Sequence, residues 1–250
     1  MDRGDWMIVN ESFKKGFVTG LSMNPLYVGE GGTPEKPKPL IRLEFNGNLD
    51  NTGTDKNFSI VVNGVAVSYA DGFGGKKCYD TSYDNEVKLI GDFAKLMNSE
   101  CTYTMFVKCN PITEQHDRRF FYMPYPLTRA LFLSAYRGSS ASTSGRLEFN
   151  LEGSSYRTEM PKISDGIWRL VALIVKKNLP TVWVSREDAM LTVERKGIVV
   201  EPSDTDRIYI NYETTSSTKR FFKDGFVQDF RVYDRCLSYE ELREIAKECE

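Results

Sequence analysis

From Leu40 onward the chain is written in period two. Ile41-Arg42-Leu43-Glu44-Phe45 alternates apolar and polar residues, and the segment from Cys101 to Val107 alternates around Tyr103, Met105 and Val107. In the segment from Arg146 to Leu151, Leu147, Phe149 and Leu151 alternate with Arg146, Glu148 and Asn150. Successive side chains of a β-strand point to opposite faces, so this pattern predicts strands with one face in a core and one in water. The stretches 59–67, 181–184, 207–210 and 226–233 add further strands, and 168–175 is apolar enough to predict a strand covered on both faces. Turn residues separate them: Asp71-Gly-Phe-Gly-Gly75, the Ser/Gly-rich stretch 138–145 and the Ser/Thr run 214–218. Asn63-Gly64 divides 59–67 and predicts a tight hairpin turn, because both residues tolerate positive φ. Many short strands at this spacing predict an all-β fold, a two-sheet antiparallel sandwich or jelly roll.

Helix signals are confined to two places. Ser238 followed by Glu241 is a capping box ahead of Leu242 and Ile245, which predicts a short C-terminal helix, and 91–98 reads as a weaker helical stretch. Residues 1–39 differ from the rest and are expected to form an N-terminal arm with a Pro/Gly linker, leaving 40–250 as the folded domain. Pro34, Pro37 and Pro39 are unsuited to a central strand, while Trp6, Ile8, Phe13, Phe17 and Leu21 are too apolar for a free tail.

Charge and cysteine usage narrow the function classes. The formal net charge of the 250 residues is −2, with no basic stripe, so neither nucleic acid nor an anionic membrane is the expected partner. No run approaches the roughly 20 apolar residues of a membrane helix, and the first residues lack the basic-then-apolar pattern of a secretory leader. Five cysteines without a CxxC and a single histidine, His116, argue against zinc, thioredoxin-like and Cys/His nucleophilic chemistry. Free thiols in a reducing cytosol are the expectation.

Four stretches, in order, resemble the laminin-G-like or concanavalin A-like jelly-roll family of bacterial and phage surface proteins. They are Leu43-Glu-Phe-Asn-Gly-Asn-Leu-Asp-Asn-Thr-Gly53; Cys78-Tyr-Asp-Thr-Ser-Tyr-Asp-Asn-Glu-Val-Lys-Leu89; Tyr103-Thr-Met-Phe-Val-Lys108 with Gly166-Ile-Trp-Arg-Leu-Val-Ala172; and Asp224-Gly-Phe-Val-Gln-Asp-Phe-Arg-Val-Tyr-Asp-Arg-Cys-Leu-Ser-Tyr-Glu-Glu-Leu242. The last is the most specific, and together they span about 40–248. The resemblance implies a sandwich of two packed antiparallel sheets, on which lectins, adhesion modules, virion decorations and some glycosidases and lyases are all built. It also implies a calcium option at Asp50, Asp80 and Asp229, weakened because Gln228 stands where the family carries an aspartate.

A glycosidase would need two carboxylates facing one cleft, and no such set is readable: Glu44, Glu148 and Glu152 stand on or beside strands, and Glu148 and Glu152 read as solvent-face residues. Gly72-Phe-Gly-Gly-Lys-Lys77 lacks the spacing of a phosphate loop and reads as a hairpin tip, and Arg3-Gly4-Asp5 is a chance tripeptide. Phe73, Tyr79, Tyr83 and Tyr136 fall in or near loops and are the candidates for stacking on sugar rings, whereas Trp168 and Trp183 read as core. The first expectation is therefore a non-enzymatic decorating protein of a virion surface, of a bacteriophage above all, gripping other subunits through its N-terminal arm and open to glycan contact. The alternative is a carbohydrate-binding or adhesion module of a bacterial surface, and a glycosidase or lyase comes third.

Overall fold

The protein is described from a computed structural model, which covers residues 7–8, 36–83, 85–111, 118–125, 129–136, 144–151, 154–156, 160–176, 179–194, 206–211 and 225–249. Its strands are β1 (Met7–Ile8), β2 (Ile41–Leu43), β3 (Ser59–Gly64), β4 (Ser68–Asp71), β5 (Lys77–Asp80), β6 (Asn85–Ile90), β7 (Glu100–Cys109) and β8 (Arg118–Tyr125), continuing with β9 (Arg129–Ala135), β10 (Leu147–Leu151), β11 (Ser154–Tyr156), β12 (Trp168–Lys176), β13 (Leu179–Val184), β14 (Ala189–Glu194), β15 (Arg207–Ile210) and β16 (Gly225–Tyr233). Helix α1 (Phe93–Asn98) precedes β7 and α2 (Tyr239–Ala246) follows β16.

The strands form two sheets, and every pairing among the described residues is antiparallel. The first sheet runs β1-β14-β13-β12-β7-β16-β5-β4, with β2 also on β16, and the second runs β11-β10-β9-β8-β15-β6-β3. The fold is the expected all-β jelly-roll sandwich. Its core lies between the sheets and draws alternate residues from each strand: Tyr103, Met105 and Val107 from β7, Leu147 and Phe149 from β10, Val227, Phe230 and Val232 from β16. No helix among the described residues is long and apolar enough to cross a membrane.

A second apolar cluster lies on the outer face of the first sheet. Phe106, Leu170, Ala172, Ile174, Trp183 and Tyr233 meet Leu237, Leu242, Ile245 and Ala246 there. This is why β12 reads as apolar on both faces: one side is sandwich core and the other lies under α2. The capping box that announces α2 is formed, with Ser238 Oγ accepting from Glu241 N and Glu241 Oε2 accepting from Ser238 N at 2.8 Å. Arg235 pairs with Glu241 at its start, and Arg243 pairs with Asp188 from the β13–β14 turn at 2.6 Å.

The Asn63-Gly64 hairpin is a misreading. Asn63 pairs with Glu86 and Gly64 with Asn85 inside the second sheet, and the chain then crosses to start β4 in the first. Gly64 does adopt positive φ, 94°, but it ends a strand rather than turning a hairpin. Glu148 also departs from expectation. It faces away from the sandwich core, as its alternation requires, yet is only 2 % exposed, and Ser134 Oγ donates to its Oε2 at 3.0 Å.

Candidate functional site

Three half-buried aromatic rings from three separate segments meet at one corner of the first sheet's outer face, where Phe73 and Trp168 pack against the border of the α2 cluster. Trp168 opens β12, Lys108 sits opposite it in β7, and Phe226 sits opposite Lys108 in β16, so the three form one cross-strand row. Neighbouring strands lie about 4.8 Å apart, which gives the row a width of about 10 Å. The Trp168 and Phe226 rings are 6.4 Å apart at 47°, and the Lys108 ammonium stands 5.5 Å from the Phe226 centroid. Phe73 forms the wall: its ring meets Phe106 at 4.7 Å and Trp168 at 5.4 Å, both edge to face, a geometry that aromatic quadrupoles favour.

Phe73 is there because the β4–β5 hairpin carries it. Gly72 N donates to Lys76 O at 2.8 Å, and Gly74 and Gly75 take φ of 64° and 72°, which closes the tip as the glycine-rich sequence predicts. Gln228 then clamps that tip to β16. Its Oε1 accepts from Phe73 N at 3.2 Å and its Nε2 donates to Phe73 O at 3.4 Å. A Cβ on Gly72 would lie 2.1 Å from Gln228 Oε1, so only glycine permits this approach. The residue that weakened the calcium option is therefore the one that holds the aromatic wall.

Immediately beyond Gln228, β16 carries an irregularity between Gln228 and Arg231, with Asp229 at φ 53°. Asp229 is 4 % exposed and takes bonds from both sides: Arg42 Nε and Nη2 at 2.8 and 2.7 Å, and Arg231 Nε and Nη2 at 3.0 and 2.5 Å. Arg231 also reaches Glu248 at the end of the chain's last helical turn. Burial works against the charge on Asp229, but the two guanidiniums outweigh it and hold the carboxyl down at about 2.

The calcium expectation does not fit this structure. Both Asp229 oxygens are bound by arginines, Asp80 accepts from Ser82 N at 3.0 Å, and Asp50 stands in an exposed turn. Among the described residues, no three His, Cys, Asp or Glu side chains gather as metal ligands would.

Of the stacking candidates, Phe73 belongs to the aromatic corner and the others do not. Tyr79 is wholly buried: Asn211 Nδ2 donates to its hydroxyl at 3.0 Å, and the hydroxyl donates to Asn85 Oδ1 at 2.5 Å, so its ring is core rather than platform. Burial drives its phenol far above the ordinary value. Tyr83 is half exposed in the turn before β6, and its carbonyl accepts from Asn85 N at 2.9 Å. Tyr136 follows β9 in the opposite sheet, where its amide donates to Arg146 O. His116, Glu152 and Arg3-Gly4-Asp5 lie outside the described residues, as does most of the arm.

Trp168, Lys108 and Phe226 are the residues that pattern reading missed. Trp183 is core as expected, at 2 % exposure, with its Nε1 donating to Asp188 at 2.9 Å, but Trp168 is only half buried. Its place as the first residue of an otherwise covered strand, two residues after the Gly166 turn, was the available signal.

No family model matches the chain, and no curated protein matches it. Among solved structures, the chain is similar to domain 4 of AbnA, a GH43 extracellular arabinanase from Geobacillus stearothermophilus, in complex with arabinotriose. The identity is 18 %, the TM-score 0.58, and the match covers 85 % of this chain and 100 % of that one. It is also similar to the binding domain of botulinum neurotoxin DC in complex with SialylT, at 13 % identity and TM-score 0.60, covering 85 % of this chain and 52 % of that one. A botulinum neurotoxin type C structure, described as dependent on two ganglioside molecules for cell entry, matches at 12 % identity, TM-score 0.58, with 85 % and 51 % covered. The chain thus spans about half the length of the neurotoxin binding domains and the whole of the arabinanase domain. At these identities the likeness shows a shared jelly-roll fold.

Proposed function

We propose that this domain is a non-enzymatic carbohydrate-binding module, and that a sugar lies on the corner formed by Phe73, Trp168 and Phe226. The observation that carries the reading is the convergence of three half-buried rings and one ammonium at one corner of a sheet that α2 does not bury. Pyranose and furanose rings present an apolar C–H face and a polar rim, and an aromatic ring with a nearby donor matches both. Similar folds solved with arabinotriose and with SialylT support this choice of ligand class. Among the described residues the two carboxylates next to Trp168 in space or sequence, Asp165 and Glu187, are both bound by Arg169, which supports binding without hydrolysis.

The test is a glycan array, followed by affinity electrophoresis on the best hit. Trp168→Ala is expected to weaken retention at least tenfold, with an unchanged far-ultraviolet circular dichroism spectrum, since truncating a central aromatic contact costs about 2 kcal/mol or more and about 1.4 kcal/mol is tenfold. An array without hits, or a hit that Trp168→Ala leaves untouched, overturns the proposal.

A place on a virion surface draws on residues 1–39, which lie largely outside the described residues. Of those that are described, Met7 and Ile8 pair with Glu194 and Val193 of β14, which supports an arm that belongs to its own domain. Light scattering on the full chain and on a chain beginning at Leu40 separates the readings: assembly of the full chain alone favours the virion role.

A further inference from the structure

We infer that the aromatic corner selects sugars bearing an anionic group, a carboxylate or a sulfate ester. This rests on the carbohydrate reading above and names its ligand class. Two cations flank Trp168. Lys108 is its cross-strand neighbour, with the ammonium held over Phe226. Arg186 comes from the β13–β14 turn, where a φ of 66° directs its side chain back so that Nε donates to the Trp168 carbonyl at 3.0 Å. Among the described residues neither forms an ion pair.

The surrounding carboxylates are already engaged. Asp165 and Glu187 are bound to Arg169, Asp188 to Arg243 and Trp183, Asp71 to Lys77, and Glu44 to Arg42 and Lys76. Asp80 is the exception: it pairs with Phe226 on the side away from Lys108 and accepts from the Ser82 amide. Among the described residues, the Trp168 side of the corner therefore offers two cations without an ion-pair partner beside an aromatic ring, set against the one surplus negative charge of Asp165 and Glu187, which share Arg169. A sugar acid laid with its C–H face on Trp168 brings its anion within reach of both, and charge-assisted hydrogen bonds of this kind are about twice as strong as neutral ones. Neutral sugars leave both cations without a partner.

Matched pairs distinguish the outcomes: sialyllactose against lactose, oligogalacturonate against its methyl ester, and 3′-sulfolactose against lactose, printed on the same array as a broad neutral panel. The expected result is at least about tenfold tighter binding of the acidic members. That gap should narrow as salt rises from about 0.05 M to about 0.5 M. The Lys108→Met, Arg186→Met double variant should bring the acidic-to-neutral ratio to about one while its melting temperature stays unchanged. A preference for carboxylates alone or sulfates alone supports the inference and assigns the group. Equal binding within every pair, or a preference that survives the double variant, overturns it while the carbohydrate reading stands. An array without any hit overturns both.

Discussion

Strand β12 passes through two environments on a single face of the sheet. Leu170, Ala172 and Ile174 lie under α2 and are at most 9 % exposed, while Trp168, two residues earlier on the same face, is half open. The strand, the neighbours and the alternation are the same in both, and what differs is the lid. Under the helix the β12 residues are aliphatic and dry. At Trp168, where among the described residues the β4–β5 hairpin reaches over, the row is aromatic and flanked by lysine and arginine. Cover, rather than strand propensity, decides which part of this face is stability and which is surface for recognition.

The contrast breaks most strongly at the helix. Leu242 has no exposed surface and packs on Leu170, Ile174 and their neighbours. Leu242→Ala is expected to cost about 3 kcal/mol through the lost transfer energy and the cavity left behind. Urea unfolding followed by tryptophan fluorescence measures this, and retention of a sugar by the folded variant should not change. A loss under about 1 kcal/mol would mean that α2 is a loose flap.

A smaller effect is expected at the seam between the two environments, where Asp229, Arg231, Arg42 and Glu248 tie β16 to the chain end. The folded-state pKa of Asp229 lies at about 2, below the ordinary carboxylate value. Its contribution is therefore complete above about pH 5 and is lost as pH falls toward 2, with a size of about 2 kcal/mol. Urea midpoints at pH 5 and pH 2 should converge between the wild type and Asp229→Asn. A gap that stays constant with pH would remove the ion cluster from the account of acid sensitivity.

The smallest effect belongs to the hairpin. Gly72→Ala places a methyl group against Gln228 Oε1 and displaces the clamp on Phe73. A stability loss of about 1 kcal/mol is expected, as for one hydrogen-bonded contact, together with a severalfold weaker sugar retention. Calorimetry and affinity electrophoresis on the same sample would sharpen the comparison if the two losses separate in this way.

What was legible in the chain follows the range of the interaction. Period two placed β2, β7 and β10, and the Ser238 capping box placed α2, because alternation and caps are local. Strands β8 and β9 went unread: their run of aromatic, arginine and proline residues carries no clean alternation, and β8 is irregular between Arg119 and Phe121. Asn63-Gly64 looked like a hairpin because the turn signal is local, whereas the choice between sheets was made by Glu86 and Asn85 more than twenty residues on. Tyr79 looked like loop surface until Asn85 and Asn211 closed around it, and Asp229 looked like a metal ligand until Arg42, 187 residues away, bound it. The aromatic corner was the least legible part, because Phe73, Lys108, Trp168 and Phe226 come from four distant segments.

The edge of β16 that β5 borders near Phe226 and Val227 is borrowed by β2 farther along, at Phe230–Val232. β2, an early strand, thus waits for β16, the last strand among the described residues. At synthesis rates of about 5–20 residues per second, β2 has left the ribosome for on the order of ten seconds or more before its partner exists. Until then Ile41 and Leu43 remain unsheltered, and an open strand edge is a template for pairing with another chain. Closure over so long a loop also places the domain among slow folders. A nascent chain lacking residues after 224 should therefore be held by chaperones or aggregate, even though most of the sandwich core is already in it.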